Sequence, residues 1–278
     1  MSDPSILLTN DDGIDAPGLA SLREELTAVG DVTVVAPHDN QSGVGRTRNS
    51  TAVRHDHPWG YSLEGTPADC VAYALCGLGT EFDAVVSGVN DGPNAGNYVV
   101  GRSGTVGAGI EAAFLGLPAV AVSAYHAVDF FPQPPEEYDF ARPARVGADL
   151  LERALATETF DEVDLLNVNA PVDTADPHAR ITRPTADYDL RVGHDADAVE
   201  RDLGDGSTAV SLDDSVWPDT EGFENPFPLA DDHATRYPHG SDRRAMVEGE
   251  VSVSPLTVNH GHAESQSLPG VVDSLDAE

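Results

Sequence analysis

Lysine is missing from this chain: all 15 basic residues are arginine, set against 48 aspartates and glutamates. The formal net charge of −33 repels nucleic-acid polymers and anionic membrane surfaces, so neither is an expected partner. The absence of lysine also removes the residue that a phosphate-binding P-loop requires. Cysteine is nearly absent. Cys70 and Cys76 stand six positions apart on an expected helix and point in different directions, which argues against a disulfide between them. With no basic, apolar leader at the start of the sequence, the expectation is a reducing, cytoplasmic setting. No apolar run approaches the roughly 20 residues of a membrane-spanning helix.

The acids are spread over segments with clear apolar periodicity, which speaks for a folded chain rather than an acidic disordered one. Self-repulsion at this charge destabilises a compact state. At about 1 M salt the screening length falls to roughly 3 Å, so the composition predicts a salt-rich cytosol, as in halophiles.

Strands and helices alternate through the first half. Ile6 to Thr9 reads as a buried strand. Pro17 suits a first helical turn, and Leu19, Leu22, Leu26 and Val29 form one face before Gly30. Val32 to Ala36 is a second strand, and Thr66-Pro67-Ala68-Asp69 is a capping-box start for a helix reaching Cys76. Further strands are expected at Phe82 to Val86, Ala119 to Ser123 and Val163 to Val168, with helices at Val106 to Leu115 and Ala144 to Leu155. The pattern predicts an α/β fold with a mostly parallel sheet covered on both faces. Past Ala170 the periodicity weakens, with candidate strands at Ala209 to Leu212 and Met246 to Val253. The expected organisation is one domain over 1–262, with a core at 1–175, a C-terminal extension with hairpins at 176–262 and an acidic tail at 263–278. A proline-rich surface loop is expected from Ala127 to Tyr138.

Ligands bind beyond the carboxyl ends of strands in such sheets. Three loops leave those ends carrying polar groups: Thr9 to Gly13, Pro37 to Arg46 and Ser87 to Gly96. The adjacent carboxylates Asp11 and Asp12 repel each other unless a proton or a cation intervenes. All-oxygen donors from carboxylate, amide and hydroxyl suit a hard divalent ion. The Arg102 to Gly107 turn enters a helix and offers backbone N–H groups with the Ser103 and Thr105 hydroxyls, either as a phosphate cradle or as a plain N-cap. Arg46, Arg48 and Arg102 are candidates to draw in an anion, while His260 and His262 read as solvated. The dinucleotide fingerprint is absent after the first strand, and Asp11-Asp12 lacks the spacing of the haloacid-dehalogenase nucleophile pair.

Taken together, the motifs resemble the SurE family of metal-dependent nucleoside-monophosphate phosphatases. The resemblance rests on LLTNDDG at 7–13, NQSG at 40–43, GTPADCV at 65–71, VVSGVNDGPNAG at 85–96, SGTVGAG at 103–109, LNVNAP at 166–171 and EVSVSPLTV at 250–258. It implies a Rossmann-like core and a C-terminal hairpin that builds homodimers or homotetramers. By the same resemblance, Asp11, Asp12, Ser42 and Asn90 would hold one Mg²⁺ or Mn²⁺, and Asp11 and Asp12 would be catalytic. Asn10, Gly43, Asn94, Ser103, Gly104 and Thr105 would bind phosphate. The implied reaction is hydrolysis of nucleoside 5′-monophosphates, with 3′-monophosphates as further candidates. A non-catalytic nucleotide or metal sensor on the same scaffold stays open. Arg102 stands where the family usually has tyrosine.

Overall fold

The structure, a computed structural model, describes residues 3–127, 138–186, 190–193, 207, 209–214 and 237–259. The 127–138 loop, apart from its two ends, and the tail, His260 and His262 lie outside the described residues. Among the described residues nine strands form one sheet, in the order β3 (Val53–His57), β4 (Gly60–Glu64), β2 (Asp31–Pro37), β1 (Ser5–Thr9), β5 (Ala84–Asp91), β6 (Ala119–Tyr125), β7 (Leu165–Pro171), β11 (Val251–Leu256) and β8 (Ala179–Ile181). The central strands are β1 (Ser5–Thr9), β2 (Asp31–Pro37), β5 (Ala84–Asp91), β6 (Ala119–Tyr125) and β7 (Leu165–Pro171). All their mutual pairings are parallel.

These strands are continuously apolar because each face of the sheet has its own core. Ile6 and Leu8 of β1 pack into one hydrophobic cluster while Leu7 packs into the other. The same alternation runs through Val34, Val35 and Ala36, and through Ala84, Val85 and Val86. Side chains of period two thus find helices on both sides, and the strand centres are closed to water. Helices α1 (Pro17–Leu26) and α5 (Ala141–Leu155) cover the first face, and α2 (Pro67–Gly77) and α4 (Gly104–Phe114) the second. Truncating a fully buried side chain such as Leu7 to alanine would cost about 2–5 kcal/mol.

Local signals set the helix starts. Pro17 occupies the first turn of α1, and the capping box at Thr66 and Asp69 is formed in full. Cys70 is buried and Cys76 exposed, both free. At the sheet margin, β3 (Val53–His57) and β4 (Gly60–Glu64) form an antiparallel hairpin that the sequence reading passed over.

The C-terminal region departs from its expected strands. Residues Asp242–Val247 form a helix, here α7, capped by the Ser241 side chain, and β11 begins only at Val251 and ends at Leu256. Gly249, at φ +72°, breaks the two apart. The expected single strand from Met246 to Val253 is therefore the end of a helix, a turn and the start of a strand. β11 pairs antiparallel with β7 and parallel with β8 (Ala179–Ile181). β9 (Leu190–Gly193) and β10 (Ser211–Asp214) form a separate two-stranded sheet, two residues later than the expected Ala209 to Leu212 strand. Two short helices, α3 (Asn97–Arg102) and α6 (Thr159–Glu162), complete the elements among the described residues.

Candidate active site

From β1 the chain moves to β2 on one side and later returns to β5 on the other, so the loops beyond β1 and β5 diverge and leave a crevice between them. The first two loops are tied together by backbone bonds. Ile14 N–H donates to Pro37 O at 2.8 Å, and Gln41 N–H donates to Asp11 O at 2.6 Å. Within the first loop, Asn10 Nδ2 donates to Gly13 O at 2.8 Å, so its side chain shapes the turn. In the second, Ser42 N–H donates to Asn40 Oδ1 at 2.8 Å, a local turn that presents Ser42.

The third loop arrives through an irregularity in β5. Pairing with β6 shifts register between Ser87 and Asn90. Gly88 sits there at φ +127°, and a Cβ on it would lie 2.2 Å from Val122 O. Only glycine fits, and the bulge turns the next residues toward the crevice. This accounts for the Ser-Gly-Val-Asn spelling in structural terms.

The adjacent aspartates are handled differently. Asp11 is buried against the start of α4. Thr105 Oγ1 donates to Asp11 Oδ1, and the Thr105 backbone N–H also reaches this carboxyl. Gly104 has no room for a side chain, since a Cβ would lie 2.7 Å from Asp11 Oδ2. The amide end of α4 therefore receives a carboxylate of the chain itself. Burial pushes Asp11 up to about 6, and the Thr105 hydrogen bonds restrain the rise. Asp12 is pushed up to about 9 by burial first, then by the charges of Asp11 and Asp91 and by a hydrogen bond from its carboxyl to that of Asp91. Burial raises Asp91 as well. Asp91, a third carboxylate at this point, was not singled out by the sequence reading, although it stands directly after Asn90.

The donor set fits a hard divalent cation. Asp12 Oδ1 is buried without a hydrogen-bond partner among the described residues. Asn90 Nδ2 is committed to Gly92 O at 2.5 Å, which leaves its Oδ1 as the available end. No group of three or more His, Cys, Asp and Glu side chains has a metal-holding arrangement among the described residues. A cation here would therefore take two carboxylates and complete its shell with neutral oxygens such as those of Ser42 and Asn90.

A cleft of about 400 Å³ opens over these groups, lined by Asp11, Ser42, Gly43, Asn90, Asp91, Asn94, Tyr98, Val99, Arg102 and Ser103. That volume suits a small ligand. Asn10, Asp12, Gly104 and Thr105 are not among its lining residues; Asp12 meets the lining Asp91 through its carboxyl, and the α4 pair serves Asp11. Ser103 caps α4, its Oγ accepting from Val106 N–H at 3.0 Å while still facing the cleft. Tyr98 was not anticipated either. Arg102 lies over its ring, 5.5 Å from the centroid, at the cleft wall.

Asn94 is held by a buried amide network. Its backbone N–H donates to Asn169 Oδ1 at 2.7 Å, and its carbonyl accepts from Asn167 Nδ2 at 2.8 Å. Asn94 Nδ2 donates to Ser123 Oγ at 2.9 Å. The two asparagines on β7 are the polar letters of LNVNAP. Arg46 and Arg48, considered as anion guides, instead bind the buried Glu111 carboxylate at 2.8 and 3.3 Å and clamp the Ser42 loop to α4. Among the three, Arg102 alone lines the cleft.

Comparison with known proteins adds an independent line. The family model described as Survival protein SurE matches residues 6–189. A protein of Halobacterium salinarum named 5′-nucleotidase SurE is 45% identical over 271 residues, 97% of each chain. A protein of the same name from Natronomonas pharaonis is 43% identical, covering 96% of this chain and 98% of its own. Among solved structures, the SurE protein from Aquifex aeolicus superposes with a TM-score of 0.73 at 29% identity, over 98% of this chain and all of that one.

Proposed function

The chain belongs to the SurE family, and from that premise we propose that it hydrolyses nucleoside 5′-monophosphates to nucleoside and phosphate with one divalent cation, Mg²⁺ or Mn²⁺. The observation that carries the reading is the adjacent pair Asp11 and Asp12 at an open cleft that Asp11 lines, with an Asp12 carboxylate oxygen buried and unpartnered among the described residues. Three neighbouring carboxylates alone would repel a phosphate monoester; a cation reverses that sign. Asp11, Asp12, Ser42 and Asn90 are the residues that would hold it. When bound, it supplies Lewis-acid polarisation of a phosphoryl oxygen and an acidified water.

The remaining work falls to the chain. Thr105 fixes the Asp11 carboxyl through its hydroxyl, so that carboxyl does not reorganise as charge shifts. Asn94, locked through its own backbone, holds its side chain at the cleft wall in a fixed pose, which suits the equatorial oxygens of a phosphoryl group. Ser103 adds a hydroxyl on the same side. Arg102 carries the positive charge that lines the cleft and favours an anionic substrate entering past an acidic surface. Tyr98 beside it offers a ring for the nucleobase.

Assembly as a homodimer or homotetramer through the C-terminal hairpin is part of the same proposal. Val192 and Leu212 of β9 and β10 are 55% and 65% exposed, an apolar face that suits a second copy. A cytoplasmic, salt-rich setting and activity on 3′-monophosphates complete it.

The test is phosphate release from 5′- and 3′-nucleoside monophosphates in molar KCl, with Mn²⁺ or with a chelator. Cation-dependent release from the 5′-esters is expected. Nucleotide binding without release would replace this reading with the sensor.

A further inference from the structure

We infer that Asp242, from the far C-terminal end of the fold, is a positioning residue of the cleft: its carboxylate fixes the loop that carries Asn94 and the first turn of α3. The inference rests on the functional reading above for its kinetic consequence, but its structural basis stands apart. Asp242 is fully buried. Its Oδ2 accepts from Gly96 N–H at 2.6 Å. Its Oδ1 accepts from Thr185 N–H at 2.9 Å, Thr185 Oγ1 at 2.7 Å and its own neighbour Arg243 N–H at 2.7 Å. Thr185 in turn accepts from Asn97 N–H through its carbonyl at 2.9 Å. Two consecutive amides of the cleft loop, Gly96 and Asn97, are thereby taken up by one carboxylate and by the threonine it holds.

Gly96 is the N-cap of α3, at φ +86°. The residue cannot be replaced cheaply, because a Cβ would lie 2.5 Å from Arg243 Nη2. Arg243 is itself buried and reaches Ala95 O. The segment Asn94 to Asn97 is thus pinned from two sides, by the β7 asparagines at Asn94 and by Asp242 and Arg243 two residues on. From that second pin α3 projects Tyr98, Val99 and Arg102 into the cleft wall. A carboxylate is needed because every group facing it is a donor. Asparagine would turn an NH₂ toward a backbone N–H and lose at least one of these bonds.

The experiment uses the full chain in molar KCl and compares wild type with Asp242→Asn, Thr185→Val and Thr185→Ser. Hydrogen exchange read by mass spectrometry needs no ligand. Exchange over 94–102 is expected to speed up at least about tenfold in Asp242→Asn, with β1 unchanged. Thr185→Val should give a smaller change, and Thr185→Ser, which keeps the hydroxyl, should restore the wild-type rate. In turnover, KM for 5′-AMP should rise about tenfold in Asp242→Asn while Mn²⁺ affinity stays within about twofold, since the cation's oxygens lie on other residues. Unchanged exchange over 94–102 in Asp242→Asn overturns the inference. If that variant fails to fold, equal exchange in wild type and Thr185→Val overturns it instead. A wild type without phosphatase activity refutes the functional reading and leaves the exchange result to stand or fall alone.

Discussion

Asp12→Asn should make the metal-free protein more stable while abolishing its activity. In the folded apoprotein the Asp12 carboxyl is pushed from an ordinary value of 3.8 up to about 9. A group raised on folding favours the folded state at low pH and loses that contribution as pH climbs from the unfolded value toward the folded one. Each pH unit in that window costs about 1.4 kcal/mol, so the part of the window crossed by pH 7 amounts to about 4 kcal/mol. Asp12 keeps a minor exposed part, and solvent screening there brings the expected gain from substitution to about 2 kcal/mol or more. Asparagine keeps the shape and removes the ionisation. The assay is thermal or urea unfolding in molar KCl with a chelator, at about pH 5 and about pH 8. The substituted protein should gain stability over wild type at both values, and clearly more at the higher pH, because about pH 5 lies near the start of the window. Added Mn²⁺ should stabilise the wild type strongly and the variant little, because binding to the folded state alone raises its stability. A variant no more stable than wild type at about pH 8 would refute the claim that Asp12 is held in an environment hostile to its charge.

Turnover by Asp12→Asn should fall by about three orders of magnitude, with unchanged circular dichroism; rates near wild type would remove Asp12 from the mechanism. Thr105→Val deletes a hydrogen bond to a carboxylate, an interaction of about 1.5–3 kcal/mol. Mn²⁺ affinity by titration calorimetry should weaken about tenfold, and an unchanged value would mean that Asp11 needs no such support. Arg102→Ala should raise KM for 5′-AMP several-fold with a smaller effect on kcat; an unchanged KM would show that its charge does not draw the substrate in. Dilution from molar to about 50 mM salt lengthens the screening distance roughly fourfold, and circular dichroism should then show loss of structure in a chain of net charge −33. Indifference to salt would contradict the halophilic reading.

Much of the core was legible because its signals are local. The capping box at Thr66, Pro17 in the first turn of α1 and the apolar strands each carry their own physical cause in a few residues. The hairpin of β3 and β4 escaped because Val53–His57 is Val-Arg-His-Asp-His, largely exposed, with no apolar face to reveal it. Helix α3 was hidden in a glycine-rich loop, since its start depends on Gly96 and a partner 146 residues away. The misread strand from Met246 shows the same limit: short apolar runs do not separate a buried helix from a strand. At the site, the charged letters of the Asp-Asp motif were conspicuous. The supporting residues were not. Asn167 and Asn169 look like polar interruptions of a strand until Asn94 is seen between them, and nothing in the letters around Thr105 shows that its hydroxyl donates to Asp11.

Anomalous diffraction from a crystal grown in molar KCl and soaked with Mn²⁺ and phosphate tests the central claim most directly. One Mn²⁺ peak is expected, roughly 2.2 Å from oxygens of Asp11, Asp12, Ser42 and Asn90, with a phosphate oxygen completing its shell. A protein that takes up no Mn²⁺ at these four residues, or that places the phosphate elsewhere, would contradict it.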